Sequence, residues 1–252
     1  MEFRLIFDTI PEQFDRCRPR YCAELFRDLA EVAGLGPQAS ALEIGPGTGQ
    51  ATEPVLDTGC SYQAIELGAN LCDMMKQKFG SRSNFSIIND DFITHDFQGQ
   101  QFDLIYSAAT IQWIPEQIAF SKTFSLLKPG GMLAMMLTLS DFRTPNEELY
   151  QRLQQVYSSY YKPETRYSHG SFGYTNAPAY GFEAVEKREY SGRREFTADE
   201  YADYCGTHCD HLTIPEPYRT PFFSGLRQAV REAGNRIVFL DTHVLYLARK
   251  PE

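Results

Sequence analysis

The run Leu42-Glu43-Ile44-Gly45-Pro46-Gly47-Thr48-Gly49-Gln50 decides the fold. An apolar strand ends in three glycines at alternate positions, and a helix follows. Glycine lets the backbone turn sharply and lets a ligand approach with no Cβ in the way. An ordinary tight strand-to-helix turn is the plain reading, but it needs fewer glycines than this one has. Glu66 stands at the end of a second strand, Tyr62–Leu67. That is about 20 residues after the first glycine, where a doubly wound sheet places a carboxylate against ribose hydroxyls. A carboxylate can accept from both hydroxyls with charge-assisted bonds. A solvated acid at a strand end is the bland alternative, and the spacing favours the ligand.

Outward from this segment, strands and helices alternate. Residues 20–33 read as a helix with Leu25, Leu29 and Val32 on one face and Gly34 as its stop. Helices are expected over 49–56, 69–79 and 116–127, and further strands over 85–88, 102–107 and 132–139. Lys128-Pro129-Gly130-Gly131 is a turn before the last of these. That fifth strand is apolar on both faces, which suits a central position. Strand–helix alternation implies right-handed crossovers and a mostly parallel sheet. Ligands then bind beyond the carboxyl ends of the strands, near the switch in strand order.

After residue 140 the pattern changes. Thr144-Pro145-Asn146-Glu147 reads as a capping box opening a helix to about Tyr161, and Thr197-Ala198-Asp199-Glu200 as a second. A helix over 218–233 and a strand over 237–247, paired with 182–190, complete the chain. The expected fold is α/β: a Rossmann-like, doubly wound, mostly parallel seven-stranded sheet. An antiparallel C-terminal strand and a lid insertion between strands five and six complete it. The expected organisation is a single domain over 1–252. Within it lie a ligand-binding core at 14–139, a lid or acceptor insertion at 140–181 and a sheet-completing part at 182–252.

Composition narrows the function. Hydrophobic residues make up 42% of 252, enough for a core. The net charge of −9 and the lack of a basic block speak against a nucleic-acid partner. No apolar run approaches the roughly 20 residues that cross a bilayer, so no membrane partner is expected. The opening Met1-Glu2-Phe3-Arg4-Leu5-Ile6-Phe7-Asp8 does not read as a secretion signal, and the expected location is the cytoplasm. The cysteines Cys17, Cys22, Cys60, Cys72, Cys205 and Cys209 are then reduced thiols. In Cys205-Gly206-Thr207-His208-Cys209-Asp210-His211 a zinc site is conceivable. The spacing matches no common C-x-x-C pattern, so packing and capping are the expectation, with no metal.

The glycine run is G-x-G-x-G, with Gln50 where the G-x-G-x-x-G of nicotinamide enzymes has its third glycine. The segment resembles motif I of class I S-adenosylmethionine-dependent methyltransferases, with Gly45, Gly47 and Gly49 at the cofactor. By this resemblance Glu66 and the adjoining Leu67 belong to the ribose-binding motif. Asp91-Phe92 is similar to the adenine contact, although Asn89-Asp90-Asp91 lacks the family's usual glycine and leaves Asp90 and Asp91 both as candidates. Phe102-Asp103-Leu104-Ile105 with Ser107-Ala108 resembles the fourth-strand motif, and Ile111-Gln112-Trp113-Ile114 the aromatic motif after it. Phe14-Asp15-Arg16-Cys17-Arg18-Pro19-Arg20-Tyr21 is similar to a segment that closes over the cofactor, which brings in Arg18.

The resemblance covers about residues 14–139. A weaker one in the tail points to a small-molecule subgroup that includes trans-aconitate methyltransferase-like proteins. It implies S-adenosylmethionine as cofactor and a small-molecule methyl acceptor. The expected cofactor set is Gly45, Gly47, Gly49, Glu66, Leu67, Asp91, Phe92, Ser107, Trp113 and Arg18. Trp113 is as well explained by core burial, and no histidine stands out as a base. The tyrosines Tyr150, Tyr157, Tyr160, Tyr161, Tyr167, Tyr174 and Tyr180 lie between strands five and six; some are helix packing, and those after Tyr161 suggest a lid or acceptor pocket. A non-catalytic module that binds S-adenosylhomocysteine, and a nicotinamide-dependent oxidoreductase, are the alternatives.

Overall fold

The computed structural model describes residues 3–165 and 172–252. In its first half the elements run α1 (Pro11–Cys17), α2 (Ala23–Val32), β1 (Ser40–Ile44), α3 (Thr52–Leu56), β2 (Ser61–Glu66), α4 (Ala69–Phe79) and β3 (Phe85–Asn89). Next come β4 (Phe102–Ala108), α5 (Glu116–Leu126), β5 (Leu127–Asp141) and α6 (Glu147–Tyr160). β6 (Glu186–Phe196), α7 (Ala198–Cys205), α8 (Cys209–Leu212), α9 (Arg219–Glu232) and β7 (Ile237–Arg249) end the chain. The seven strands form one sheet in the order β3-β2-β1-β4-β5-β7-β6. β1 to β5 pair in parallel, and the C-terminal strands are antiparallel. The doubly wound sheet expected from the sequence is therefore present, with its switch in strand order between β1 and β4.

Two compact units divide the chain. The larger comprises Pro19–Thr138, His169–Tyr190 and His243–Glu252; the smaller comprises Met1–Arg18, Leu139–Ser168 and Ser191–Thr242. Residues 140–181 are thus shared between the units, and the segment around Arg18 opens in the smaller one.

In the larger unit the strands send alternate side chains to opposite faces, as a pleated strand must. Leu104, Tyr106, Met132, Ala134 and Met136 join one apolar cluster with Leu25, Leu29 and Met75 from the helices. Their neighbours Leu42, Ile44, Ile105, Leu133 and Met135 join the other, with Phe120 of α5. Helices on both faces explain why these strands are nearly continuously apolar. The buried exception on β1 is Glu43, at 0% exposure. Its Oε2 accepts from the hydroxyls of Thr52 (2.6 Å), Tyr106 (2.7 Å) and Tyr62. Its Oε1 is buried with no hydrogen-bond partner. Burial pushes the Glu43 carboxyl above its ordinary value, against the pull of these hydroxyls.

The smaller unit is held by helix packing. Leu149 and Leu153 of α6, Tyr201 and Cys205 of α7, and Phe222, Leu226 and Val230 of α9 form one buried cluster. The two capping boxes expected here behave differently. At Thr197 the box forms: its side chain accepts from Glu200 N, and the Glu200 carboxylate accepts from Thr197 N at 2.8 Å. At Thr144 it does not, because 144–146 is a short 3-10 turn and Asn146 stands at the N-cap of α6. The Asn146 amide is taken by the β7 backbone instead. Nδ2 donates to Val238 O at 2.6 Å, and Val238 N donates to Oδ1 at 3.0 Å.

Candidate cofactor site

The glycine loop follows β1 at the centre of the sheet. Gly45, Gly47 and Gly49 have φ of +63°, +59° and +89°, the left-handed region where side chains are strained. Neighbours add a second reason at two of them. A Cβ on Gly45 would stand 2.3 Å from Thr110 Cγ2, and one on Gly49 would stand 2.6 Å from a ring carbon of Phe79. The loop is therefore shaped by its own packing as well as by any ligand. Thr110 also donates its hydroxyl to Gly45 O at 2.9 Å. Sequence reading passed over Thr110, although it lies between the two motifs around β4.

Glu66 closes this turn from β2. It is 6% exposed, and each carboxylate oxygen accepts a backbone N–H: Oε2 from Gly47 at 3.0 Å and Oε1 from Gly68 at 2.8 Å. One side chain thus ties the glycine loop to the start of α4. Leu67 follows, half-buried, with its carbonyl held by Asn89 Nδ2 at 3.1 Å.

After β3 the two aspartates differ. Asp90 engages both oxygens locally, with His95 Nδ1 and with Asp91 N, each at 2.8 Å. The bond to His95 holds the Asp90 carboxyl below its ordinary value. Asp91 accepts from Ile93 N at 2.9 Å through Oδ1. The ring of Phe92 is buried in the core, with Lys122 Nζ 5.1 Å from its centroid and the Phe97 ring at 6.0 Å. Its backbone is what Phe92 has left to present to a ligand.

Ser107 is fully buried on β4 and donates to Ile44 O at 3.0 Å, which pins β4 to β1 just before the glycines. Trp113 ends a 3-10 turn (Ile111–Trp113) and is half-buried. Arg18 lies in the smaller unit, where it donates to Thr207 O at 2.7 Å and stacks over Phe14 and Phe7.

The tyrosines do not form one group. Tyr150, Tyr157, Tyr160 and Tyr161 belong to the smaller unit, Tyr174 and Tyr180 to the larger. Tyr174 stacks on Tyr246 and Tyr180 on Phe120, at 5.1 and 5.0 Å between centroids. Tyr167 and His169 lie outside the described residues.

A doubly wound sheet carries a left-handed glycine loop after β1 and an acid at the end of β2, the places where such sheets bind nucleosides. Residues 42–135 match the family model described as a methyltransferase domain. This part of the chain is thus similar to a methyltransferase domain. Among curated proteins, malonyl-[acyl-carrier protein] O-methyltransferase 1 of Ilyobacter polytropus is 30% identical over 140 residues, covering 54% of this chain and 49% of that one. Ribosomal RNA small subunit methyltransferase A of Pseudomonas syringae pv. syringae is 31% identical over 132 residues, 50% of this chain and 49% of that one. The chain thus spans about half the length of these relatives. A putative type II methyltransferase from Anaeromyxobacter dehalogenans shares the fold, with a TM-score of 0.67 at 16% identity over 93% of this chain and 99% of that one.

Proposed function

We propose that this protein binds S-adenosylmethionine and transfers its methyl group to a small-molecule acceptor. The observation that carries the reading is Glu66 at the end of β2, whose carboxylate braces the glycine loop and the start of α4. In this reading Gly45, Gly47 and Gly49 shape the turn beside the cofactor's methionine end. Glu66 and Leu67 hold the ribose, Asp91 and the Phe92 backbone meet the adenine, and Trp113 contributes apolar surface. Ser107 acts by fixing the strand that carries the loop.

A sulfonium carries a good leaving group, so the protein's task is to align acceptor, methyl and sulfur and to exclude water. A general base is needed only where the acceptor must lose a proton.

Several arginines support a small acceptor over a nucleic acid. Arg16, Arg82, Arg194, Arg227, Arg231 and Arg236 each pair with a carboxylate, in a chain of net charge −9. Phosphate binding needs such groups unpaired. The test is incubation with methyl-labelled S-adenosylmethionine and three acceptor pools: small metabolites, ribosomal RNA and acyl-carrier protein. Label is expected in the small-metabolite pool. Label confined to RNA or to the carrier protein would overturn the acceptor class.

A further inference from the structure

The smaller unit contains a Cys–His cluster outside the residues assigned to the cofactor. Cys205 ends α7, His208 is the N-cap of α8, and His211 lies within α8. One ligand atom from each lies within 4.8 Å of the others. Local backbone bonds preset this arrangement: His208 N donates to Cys205 O and Leu212 N to His208 O, both at 3.0 Å. Cys205 is 1% and His211 7% exposed.

We infer that Cys205, His208 and His211 form a binding site for a thiophilic divalent metal of the zinc type. Two considerations beyond proximity support it. Among the described residues the Nδ1 atom of His211 is buried with no hydrogen-bond partner, while its Nε2 lies 2.9 Å from the Tyr157 hydroxyl. One imidazole nitrogen held by a neighbour and the other left for an ion is the pattern of metal-ligating histidines. Finally, Cys and His are the ligand types that zinc takes, with three protein ligands leaving a fourth position for water.

The donor set selects the metal. A hard ion such as Mg2+ gains little from a thiol and two imidazoles. A soft ion binds as Cys205 gives up its thiol proton to solvent and a metal–sulfur bond forms, which brings a compensating negative charge. The histidines bind as neutral imidazoles.

The test uses the untagged full chain, freed of metal with a chelator and titrated with Co2+ and then Zn2+. A single Co2+ per chain is expected, with a tetrahedral visible spectrum, a sulfur-to-cobalt charge-transfer band and proton release, all reversed by displacement with Zn2+. Cys205→Ala should abolish the sulfur band. His208→Ala and His211→Ala should weaken Zn2+ binding at least about tenfold, and Tyr157→Phe about tenfold through the supporting bond. A wild-type chain that binds Co2+ with no sulfur band overturns the site, and this readout stands even if Cys205→Ala fails to fold. A sulfur band that persists unchanged in folded Cys205→Ala overturns it equally.

Discussion

Gly45 is fixed by two separable causes, its left-handed backbone and the methyl group of Thr110. The Thr110→Ser change removes that methyl and keeps the hydroxyl that donates to Gly45 O. Gly45→Ala should therefore cost about 2–4 kcal/mol in the wild-type background, as strain and overpacking add. In the Thr110→Ser background the same change should cost less, about 1–2 kcal/mol for the backbone share plus what remains of the contact with the Cβ and Oγ at 3.0 Å. Equal costs in both backgrounds, measured by denaturant unfolding, would mean that the contact with Thr110 is not what excludes a side chain. The glycines and Glu66 were legible in the sequence because they are local and their spacing is set by one strand–loop–helix unit. The second half of Glu66's task, bracing Gly47 and Gly68, was not, since it depends on two backbone N–H groups converging in space. Asp91-Phe92 was read as the adenine contact, and the Phe92 ring is buried beside Lys122 and Phe97.

Among the elements, α6 and α7 show how one motif leads to two structures. Thr197-x-x-Glu200 forms a reciprocal cap, and Thr197→Ala should cost about 1 kcal/mol. Thr144 sits in an exposed turn, and Thr144→Ala should change stability by about 0.5 kcal/mol or less. Asn146→Ala removes the bonds to Phe142 O, Val238 O and Val238 N and should cost about 2–3 kcal/mol. Thermal unfolding of the three variants gives the order; Thr144→Ala as the most damaging would refute this account of where α6 begins. A four-residue pattern cannot reveal that a strand 92 residues further on claims the cap. The same limit applies to Cys205, His208 and His211, read in sequence as packing and capping. Spacing alone does not show which side of a helix end three side chains share.

For the whole molecule, the sheet was legible because periodicity and glycine turns report on neighbours in sequence. The smaller unit was not, because it gathers three distant stretches, including α1, whose helix went unread within the segment around Arg18. Glu43 links the fold to pH. Its folded value is raised above 4.5 by burial, so the native state holds its proton over a range where the unfolded chain has lost it. The stability it contributes is complete below the unfolded value and is lost as pH rises through the folded one. Glu43→Gln keeps the shape and removes the titration. Its stability relative to wild type should therefore increase as pH rises above 4.5. A difference independent of pH would show that Glu43 does not titrate on folding.

The central claim is that the loop after β1 and the acid after β2 hold S-adenosylmethionine. Isothermal titration calorimetry of the chain with S-adenosylhomocysteine, with NADH as the competitor class, tests it most directly. The expected result is saturable binding of S-adenosylhomocysteine and none of NADH. Glu66→Ala should weaken the binding by about 1–3 kcal/mol, the scale for losing charge-assisted hydrogen bonds. Heat from NADH and none from S-adenosylhomocysteine would contradict the account.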